Sequence, residues 1–349
     1  SDLQFFGLGG SMSRQAGVDI AFDISKLALV GLVEVWKNIF TVGKVYKNLL
    51  ARIDSQRPDL AILVDYPGFN LRLAKELKKR SIPVVYYISP QVWAWGMERI
   101  KIIKETVKKI VVFFKFEEAL YKRYGIDAEC VGHPLLDTVK ITSSKDETIK
   151  RYGLSKDKFT VAFLPGSRAI EVKRLLPVML GAAAGINEKM KRPVQFVVAK
   201  FKGLPSNLYE GCGKGPGLDI RLVDGDAYNV LAASDFAIVA SGTATLETAI
   251  IGTPFLIVYM ANILTYLLYK MVARIPYIGL VNVIAKKELV PELIQFDATP
   301  EKIAVRAVEL MSDKAALEAM ADELKKIGGS LGAPGASRRA AGVILPLLR

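Results

Sequence analysis

Short runs of apolar residues alternate with longer charged segments along almost the whole chain, and this alternation restricts the fold more than any other feature. The short runs predict β-strands, and the charged segments predict amphipathic helices. Strands joined by helices pair in parallel, because the helix carries the chain back to the same end of the sheet. The sequence therefore predicts an α/β protein built on parallel sheets.

The predicted strands form two series. The first comprises Leu3–Phe6, Leu60–Val64, Val84–Ile88, Ile110–Phe114 and Glu129–Val131. The second comprises Thr160–Leu164, Gln195–Ala199, Asp219–Leu222, Phe236–Val239 and Phe255–Val258. The stretch Thr142–Lys158 between them is polar, and a chain of 349 residues exceeds one ordinary core. We therefore expect two doubly wound, Rossmann-like domains that face each other across a cleft.

The expected domain boundaries follow from this division. Residues 1–155 form the first predicted domain, and residues 156–327 form the second. After Asp297 the pattern is helical as far as a break at Gly328–Gly335, where glycine and proline are frequent. Residues 328–349 include a last predicted helix, Ala336–Leu348, which we expect to pack across the domain junction.

The net charge of +13 indicates an anionic partner, such as nucleic acid, anionic lipid or a phosphorylated small molecule. Basic residues are interleaved with aliphatic ones in Arg99–Lys104 and Lys108–Lys115, which favours a membrane surface or a phosphorylated lipid over DNA. Solvated helix faces are the alternative explanation of these charges. No known nucleic-acid-binding module is apparent, so we expect no nucleic-acid partner.

Cysteine and histidine are scarce. The two cysteines, Cys130 and Cys212, lie far apart, and the single histidine is His133. Reduced thiols in a cytoplasmic protein fit these residues better than a disulfide framework does. No spacing of Cys and His matches a metal site, and we expect neither a metal ion nor another cofactor.

No window approaches the roughly 20 consecutive apolar residues that a membrane-spanning helix needs. The first predicted domain nevertheless contains the apolar stretch Leu27–Trp36, followed by Ile39 and Phe40 and accompanied by several lysines. Such an element either lies in a membrane interface or forms core. In the interfacial interpretation the membrane contacts are Leu29, Leu32, Val33, Val35, Trp36 and Phe40. The similar segment Ile263–Val272 is predicted to be packed.

The run Ala61–Asn70 places an acidic residue at the end of a predicted strand. The strand ends at Asp65, and Tyr-Pro-Gly follows at once. In open parallel sheets ligands bind at this end of the strands, so Asp65 is a candidate general base. The alternative is that Asp65 caps a helix that begins near Asn70.

The segment Leu164–Arg168 joins a predicted strand to the predicted helix Ala169–Leu180. A tight turn of small residues at a helix N-terminus lets backbone N–H groups approach phosphate oxygens, and Arg168 can bind a diphosphate through two parallel hydrogen bonds. The segment is not a P-loop, because it lacks the Gly-Lys-Ser/Thr ending. A plain strand-to-helix turn with an exposed arginine is the alternative.

The run Ser241–Glu247 repeats this arrangement at the end of a later strand. Hydroxyl and N–H groups open the helix, and Glu247 lies further in, where a carboxylate can accept hydrogen bonds from ribose hydroxyls. The alternative is an ordinary helix capped by Ser or Thr. Together the two runs favour nucleotide binding.

Two further loops follow strands of the first predicted domain. The segment Ser89–Trp95 carries two tryptophans, Trp93 and Trp95, which either line an acceptor cleft or pack under it. His133 lies in a Gly-His-Pro turn. It either transfers a proton or has a structural role or a substrate contact.

These motifs together resemble those of the lipid-A-disaccharide synthases, which are inverting glycosyltransferases of the GT-B type. The matching segments run in order from about Phe6 to the C-terminus: Val64–Asn70, Ser89–Trp95, Gly132–Pro134, Leu164–Arg168 with Glu171 and Val172, Ser241–Glu247, Gly279–Asn282 and Glu288–Gln295. The combination of Trp-Ala-Trp with Leu-Pro-Gly-Ser-Arg is quite specific.

The resemblance implies a reaction and a set of residue roles. A 2,3-diacylglucosamine passes from its UDP derivative to the 6-hydroxyl of 2,3-diacylglucosamine 1-phosphate, which gives a β-1′,6-linked disaccharide phosphate and UDP. Asp65 is implied as the base, and Arg168 stabilises the leaving diphosphate. The implied nucleotide contacts are Ser167, Arg168, Ser241, Gly242, Thr243, Glu247, Asn282, Glu288 and Gln295. The implied acceptor contacts are Asn70, Ser89, Trp93, Trp95 and His133.

The same resemblance implies a cytoplasmic protein that associates peripherally with the inner membrane and has its anionic surface as a partner. A homodimer is compatible with the sequence. The chain begins with Ser and has no counterpart of the strand and Gly-Glu-Ala-Ser-Gly-Asp loop with which the family opens, so we expect a shortened reading frame or a lost activity. The alternatives are a UDP-sugar epimerase of the same architecture and a non-catalytic peripheral membrane protein, and a nucleic-acid binder ranks last.

Overall fold

The computed structural model describes residues 3–24, 39–94, 96–212, 217–272 and 276–348, and these ranges contain three parallel sheets. The smallest pairs strand β1 (Phe6–Gly9) with strand β2 (Asp19–Asp23), and helix α1 (Ser11–Gln15) connects them. The predicted strand Leu3–Phe6 is wrong, because the strand begins where the prediction ends. Strand β2 was not predicted, since aspartate is rare in strands and this strand is only half-buried.

A four-stranded sheet with the order β3-β4-β5-β6 follows helix α2 (Ile39–Gln56). Its strands are β3 (Ala61–Val64), β4 (Val84–Tyr87), β5 (Lys109–Val112) and β6 (Ala128–Cys130). The connecting helices are α3 (Pro67–Lys79), α4 (Arg99–Thr106) and α5 (Lys115–Arg123). Their apolar faces bury one side of the sheet in a single cluster that includes Leu77, Tyr86, Ile103 and Tyr121. The predicted strands of this region match the observed ones to within two residues.

Two short helices, α6 (Leu135–Thr138) and α7 (Lys145–Arg151), lead to a six-stranded sheet with the order β12-β11-β10-β7-β8-β9. Its strands are β7 (Phe159–Leu164), β8 (Val194–Lys200), β9 (Ile220–Asp224), β10 (Phe236–Ala240), β11 (Phe255–Tyr259) and β12 (Glu292–Ile294). Its helices are α8 (Ala169–Lys189), α9 (Ala227–Ala233), α10 (Thr243–Ile251), α11 (Ile263–Val272) and α12 (Leu280–Ala285). The central strands are buried on both faces, which explains their continuous apolar sequence.

The chain reverses its direction across the sheet in the middle of the six strands. From β7 it proceeds to β8 and β9 on one side, and it then returns to β10 on the other side of β7 and continues to β11 and β12. In open parallel sheets, ligands bind at such a reversal, outside the carboxyl ends of the two central strands. Those strands are β7 and β10, and the segments Leu164–Arg168 and Ser241–Glu247 follow them directly.

Helices α13 (Pro300–Ser312), α14 (Lys314–Ser330) and α15 (Ala336–Ile344) complete the described fold, with short 3-10 helices at Ser206–Tyr209, Gln295–Asp297 and Leu345–Leu348. The predicted break before the last helix is confirmed, but it begins at Leu331 rather than at Gly328, because α14 continues to Ser330. A Cβ at Gly328 would lie 3.3 Å from Cα of Ile250, so glycine lets α14 pack closely on α10. The helix that begins at Ala169 is also longer than predicted.

The C-terminal segment contacts the end of the four-stranded sheet. The backbone N–H of His133 donates to the carbonyl of Leu331 at 2.9 Å, and Nε of Arg339 donates to the carbonyl of Val131 at 2.8 Å. One apolar cluster accordingly combines residues of the two larger sheets with residues of the C-terminal helices. The domain limits at residues 155 and 327 stay predictions.

Candidate functional site

The loop after β7 is organised around the carboxylate of Glu171. Its Oε2 accepts hydrogen bonds from the backbone N–H groups of Ser167 (3.1 Å) and Arg168 (3.2 Å), and its Oε1 accepts one from Nη1 of Arg168 at 2.6 Å. Gly166 has φ = +117°, and a Cβ there would lie 2.5 Å from Oε2 of Glu171, so this turn requires glycine. The loop therefore holds an internal anion at the position where the sequence predicts a diphosphate.

Arg168 keeps donors for a further anion. Its side chain is exposed, and within the described residues only Nη1 has a partner, the carboxylate of Glu171. No function was predicted for Glu171. Its position could have indicated one, because a glutamate three residues after the N-cap residue, here Arg168, is the signature of a capping box. Glu171 fixes the arginine at the N-terminus of α8, where the helix dipole attracts anions.

The loop after β10 opens helix α10 without a side-chain cap. Gly242 precedes the helix with φ = +148° and ψ = −159°, a conformation that glycine adopts most readily. Both Gly242 and Thr243 are exposed, whereas Ser241 is half-buried and its hydroxyl lies 3.4 Å from the carbonyl of Ile278. The alternative of an ordinary helix capped by Ser or Thr is therefore wrong. The backbone at Gly242 and Thr243 is accessible to a ligand, whereas the N–H of Thr245 already donates to the carbonyl of Gly242.

Glu247, the predicted ribose contact, is half-buried one turn inside α10. Its carboxylate accepts a hydrogen bond of 3.1 Å from the hydroxyl of Tyr228 in α9. Burial raises the pKa of Glu247, and burial together with the nearby Glu247 raises the pKa of Tyr228 to about 12. Tyr228, which the sequence analysis did not consider, therefore orients a carboxylate that retains acceptor positions for a hydroxylated ligand.

Asn282 is fully buried, and its side chain is already saturated with hydrogen bonds. Its Nδ2 donates to the carbonyl of Val290 (2.7 Å) and to Oε1 of Glu292 (2.8 Å). Its Oδ1 accepts from the N–H groups of Leu289 (2.8 Å) and Val290 (2.9 Å). In this arrangement Asn282 holds the segment that leads into β12, and it has no free polar group for a nucleotide.

Of the polar residues near Asn282, Glu292 and Gln295 support the surrounding loops, and Glu288 is exposed. Glu292, which the sequence analysis did not single out, accepts hydrogen bonds from the N–H groups of Ile278 and Gly279, each at 2.9 Å. The side-chain amide of Gln295 pairs with the backbone of Ala261 at the end of β11, whereas Glu288 is exposed. Glu292 and Gln295 thus fix the loops around the carboxyl ends of β11 and β12.

Asp65 lies at the carboxyl end of β3 in a left-handed backbone conformation, with φ = +48°, and Tyr66 follows with φ = +41°. The carbonyl of Asp65 accepts hydrogen bonds of 2.7 Å from the hydroxyl of Tyr86 and from Nδ2 of Asn70. Two successive non-glycine residues with positive φ are strained, and this strain persists because buried partners hold the backbone in place. The carboxylate itself is exposed at the end of the strand.

The capping alternative for Asp65 is wrong. Helix α3 begins at Pro67 rather than near Asn70, its N-cap is Tyr66, and no side chain caps it. Asn70 is buried, and its Nδ2 also donates to the carbonyl of Val64 at 2.9 Å. Asn70 therefore shapes the turn that presents Asp65.

The tryptophan loop after β4 is fixed to helix α5. Trp93 is half-buried, its Nε1 donates a hydrogen bond of 3.0 Å to Oε1 of Glu117, and its ring meets that of Phe116 edge-on at 5.4 Å. Ser89 at the start of this loop is buried. Trp95, the second tryptophan of the prediction, lies outside the described residues.

His133 packs between the rings of Phe113 and Phe114, with centroids 5.1 Å and 5.3 Å away. Its Nδ1 accepts a hydrogen bond of 3.2 Å from the N–H of Leu135. Burial lowers the pKa of His133 to about 4, so the imidazole is neutral at physiological pH. A neutral ring whose Nδ1 accepts carries its proton on Nε2, and it can donate a hydrogen bond to a ligand.

The predicted membrane contacts fall mostly outside the described residues. This applies to Leu29, Leu32, Val33, Val35 and Trp36, whereas Phe40 at the start of α2 is 89% exposed. The prediction that Ile263–Val272 is packed is wrong for its described apolar side chains Ile263, Leu267 and Met271, which are exposed. Among the described residues no helix is long and apolar enough to cross a membrane, and no cluster of three or more His, Cys, Asp and Glu is placed to hold a metal ion.

Solved structures of low sequence identity share this fold. The match to MurG of Acinetobacter baumannii has a TM-score of 0.58 at 13% identity and covers 99% of this chain and all (100%) of that one. The match to CalG4, the calicheamicin glycosyltransferase, has a TM-score of 0.59 at 14% identity and covers 99% and 91%. The Staphylococcus aureus MnaA-UDP co-structure gives 0.62 at 12% identity and covers 98% and 96%. The fold, with its reversal between β7 and β10, is that of the GT-B glycosyltransferases.

Sequence relatives narrow this class to one family. A family model described as lipid-A-disaccharide synthetase matches residues 1–339. The lipid-A-disaccharide synthase of Syntrophus aciditrophicus is 44% identical over 348 residues, which cover 99% of this chain and 91% of that protein. Those of Geobacter sulfurreducens and Myxococcus xanthus are 38% and 39% identical, each across 99% of this chain and 90% of the relative. The chain belongs to the lipid-A-disaccharide synthase family and is a glycosyltransferase, which confirms the resemblance drawn from its motifs.

Proposed function

We propose that this chain transfers 2,3-diacylglucosamine from its UDP derivative to the 6-hydroxyl of 2,3-diacylglucosamine 1-phosphate. One observation carries the proposal: the loops at Arg168 and Gly242 follow the adjacent strands β7 and β10, at the reversal of the six-stranded sheet. Two glycine-containing turns and two helix N-termini thus converge on one point, which suits a nucleoside diphosphate. The names of the relatives across 99% of the chain support a lipid A disaccharide as the product.

The donor nucleotide is assigned to residues around this point. Arg168 and the exposed side chain of Ser167 are assigned to the diphosphate, and Ser241, Gly242 and Thr243 offer the open first turn of α10 to it. Glu247, oriented by Tyr228, accepts hydrogen bonds from the ribose hydroxyls. Because Asn282 and Gln295 have polar partners within the protein, we assign them to shaping the site, and we leave Glu288 as an exposed residue at its margin.

The chemical step is a direct displacement. Asp65 removes the proton of the acceptor 6-hydroxyl as its oxygen forms a bond to the anomeric carbon of the donor sugar. The bond from that carbon to the diphosphate oxygen breaks, and the electron pair leaves with UDP, so the configuration of the carbon inverts. Arg168 stabilises the charge that develops on the diphosphate, which requires no metal ion.

The acceptor is assigned to the loops that follow β3, β4 and β6. The sugar contacts are assigned to Trp93, to His133 as a hydrogen-bond donor and, from the sequence alone, to Trp95. Asn70 shapes the turn that presents Asp65, and Ser89 stays a predicted contact. The strained backbone at Asp65 supports this assignment, because strain of this kind is concentrated at functional sites.

Because the proposed substrates are lipids, we assign the chain to the cytoplasmic face of the inner membrane as a peripheral protein. The net charge of +13 and the exposed Phe40 support contact with an anionic bilayer. The apolar residues of Leu27–Phe40 are the contact that the sequence predicts.

A mass-spectrometric turnover assay tests the proposal. The chain is incubated with UDP-2,3-diacylglucosamine and 2,3-diacylglucosamine 1-phosphate, and we expect a disaccharide monophosphate and UDP in equal amounts. Omission of the acceptor is the control and should give no product. A folded chain that forms no disaccharide, or that instead epimerises the UDP-sugar without the acceptor, would contradict the proposal.

A further inference from the structure

Helix α11 carries an apolar face that is exposed to solvent. Leu267 is 51% exposed and Met271 is 81% exposed, and Ile263 is exposed as well. These positions are four residues apart, so they lie along one side of the helix. Phe296, which follows β12, is also exposed, and its ring meets the ring of Tyr266 edge-on at 6.0 Å. We call Ile263, Leu267, Met271 and Phe296 the α11 surface.

The charge of the segment around α11 has one sign, whereas Asp297 beside Phe296 pairs with Lys302 at 2.6 Å. Between Thr248 and Lys287 the sequence contains no acidic residue, and its basic residues are Lys270, Arg274, Lys286 and Lys287. Lys270 is exposed beside Met271, and its Nζ lies 5.2 Å from the ring centroid of Tyr266. Exposed apolar side chains with lysine and tyrosine beside them are typical of helices that lie in the interface of an anionic bilayer.

The α11 surface begins at the edge of the sheet that carries the proposed donor site. Gln295 bonds both the N–H (3.0 Å) and the carbonyl (3.3 Å) of Ala261, which ties the start of α11 to the end of β12. This is the carboxyl edge of the six-stranded sheet, the edge from which the loops after β7 and β10 also extend. A bilayer against α11 therefore meets the part of the protein where a lipid-linked nucleotide sugar binds.

We propose that the α11 surface is a membrane-contact site with an anionic phospholipid bilayer as its occupant. The inference rests on the proposed function, because a bilayer contact at this edge serves the enzyme only if its substrates are lipids. It also goes beyond that function, since the sequence predicts Ile263–Val272 to be packed and assigns no membrane contact to it. A second copy of this chain is the competing occupant, and the experiment separates the two.

The experiment measures flotation of the full chain with vesicles of phosphatidylethanolamine and phosphatidylglycerol. The double variant Leu267→Ser, Met271→Ser should partition onto them about tenfold more weakly, because two apolar side chains no longer enter the interface. Lys270→Gln should weaken binding about fivefold on these vesicles and leave binding to phosphatidylcholine vesicles unchanged. The matched control is Ile141→Ser, Val305→Ser, at positions 53% and 45% exposed, and it should bind like the wild type.

Two further readouts separate this inference from the proposed function. UDP affinity, and turnover of detergent-dispersed substrates, should be unchanged in the double variant. A wild type without turnover would refute the proposed function, and the flotation result would still test the α11 surface. Equal flotation of the double variant and the wild type overturns the inference, as does an equal loss in the control. A dimer that becomes a monomer in the double variant, with unchanged flotation, identifies the surface as a contact between copies and also overturns it.

Discussion

The indole Nε1 of Trp93 donates a hydrogen bond of 3.0 Å to the carboxyl group of Glu117, and this bond joins the tryptophan loop to the first turn of α5. Glu117 is 5% exposed. Burial raises its pKa from 4.5 to about 7, although hydrogen bonds from Trp93 and from backbone N–H groups lower it in part. The protonation of one buried carboxyl group is thereby coupled to the anchoring of a predicted acceptor loop.

We predict that Glu117 makes the stability of the chain depend on pH. The folded state binds this proton more tightly than the unfolded state, so the contribution is fully present below pH 4.5 and is lost as the pH rises through about 7. The free energy of unfolding of the wild type should fall by on the order of 2–3 kcal/mol between pH 4.5 and pH 7 because of this group. Glu117→Gln should lack this part of the pH dependence. Denaturant unfolding at several pH values measures it. Glu118→Gln is the control. Lys122 lowers the pKa of Glu118, so this carboxyl group titrates below the pH range in which Glu117 does. An unchanged profile in Glu117→Gln would disprove the coupling.

Asp65→Asn should stop turnover and leave UDP affinity nearly intact. The amide cannot accept the proton of the acceptor hydroxyl, and loss of a general base typically costs about 10²–10⁴-fold in rate. Product formation by mass spectrometry and UDP titration by calorimetry provide the two readouts. Asp59→Asn, another exposed aspartate near β3, should behave like the wild type. Retained turnover in Asp65→Asn would refute the base assignment.

Arg168→Ala should weaken UDP binding by about tenfold or more, since a charge-assisted hydrogen bond contributes roughly 1.5–3 kcal/mol. Calorimetry gives the dissociation constant directly. Lys173→Ala removes an exposed positive charge from the same helix and should change this constant little. If both variants bind UDP like the wild type, Arg168 does not contact the diphosphate.

Asn282→Ala should destabilise the fold rather than remove a nucleotide contact. The substitution leaves the buried N–H groups of Leu289 and Val290 without their acceptor, and we expect a loss of about 2–4 kcal/mol in the free energy of unfolding. Asn187→Ala, at an exposed position of α8, is the control and should change that energy by less than about 0.5 kcal/mol. Near-wild-type stability together with a weakened UDP affinity would instead make Asn282 a direct ligand.

Turnover should be unaffected by EDTA. The proposed mechanism places the positive charge of Arg168, rather than a cation, at the leaving diphosphate. The rate is measured before and after chelation, and again after Mg²⁺ is added in excess. A rate that falls on chelation and returns with Mg²⁺ would show that a metal ion carries part of that charge.

The positions of most strands in the two larger sheets were predictable from the sequence. Strands such as β7 and β10 are buried on both faces, so their apolar runs are continuous and their bounds are clear. The turns that follow them were recognisable because glycine at positions such as Gly166 and Gly242 has a backbone conformation that other residues rarely adopt. The short strands β2 and β12 were missed, since a few half-buried residues produce no periodic pattern.

The partners of the polar residues were decided by the tertiary structure alone. The sequence placed Arg168, Glu247 and Asn282 in one predicted site, but only the folded chain saturates Asn282 and gives Glu247 its contact with Tyr228. The exposure of α11 was likewise decided by packing. The sequence pattern of an apolar helix is the same whether or not another element covers that helix. Hydrophobic periodicity and turn chemistry act between neighbours in the chain, so the sequence alone determined the α/β fold class and the loops at its strand ends. Hydrogen-bond partners and burial depend on segments far apart in the chain, and only their packing together determined which of these residues are free to bind a ligand.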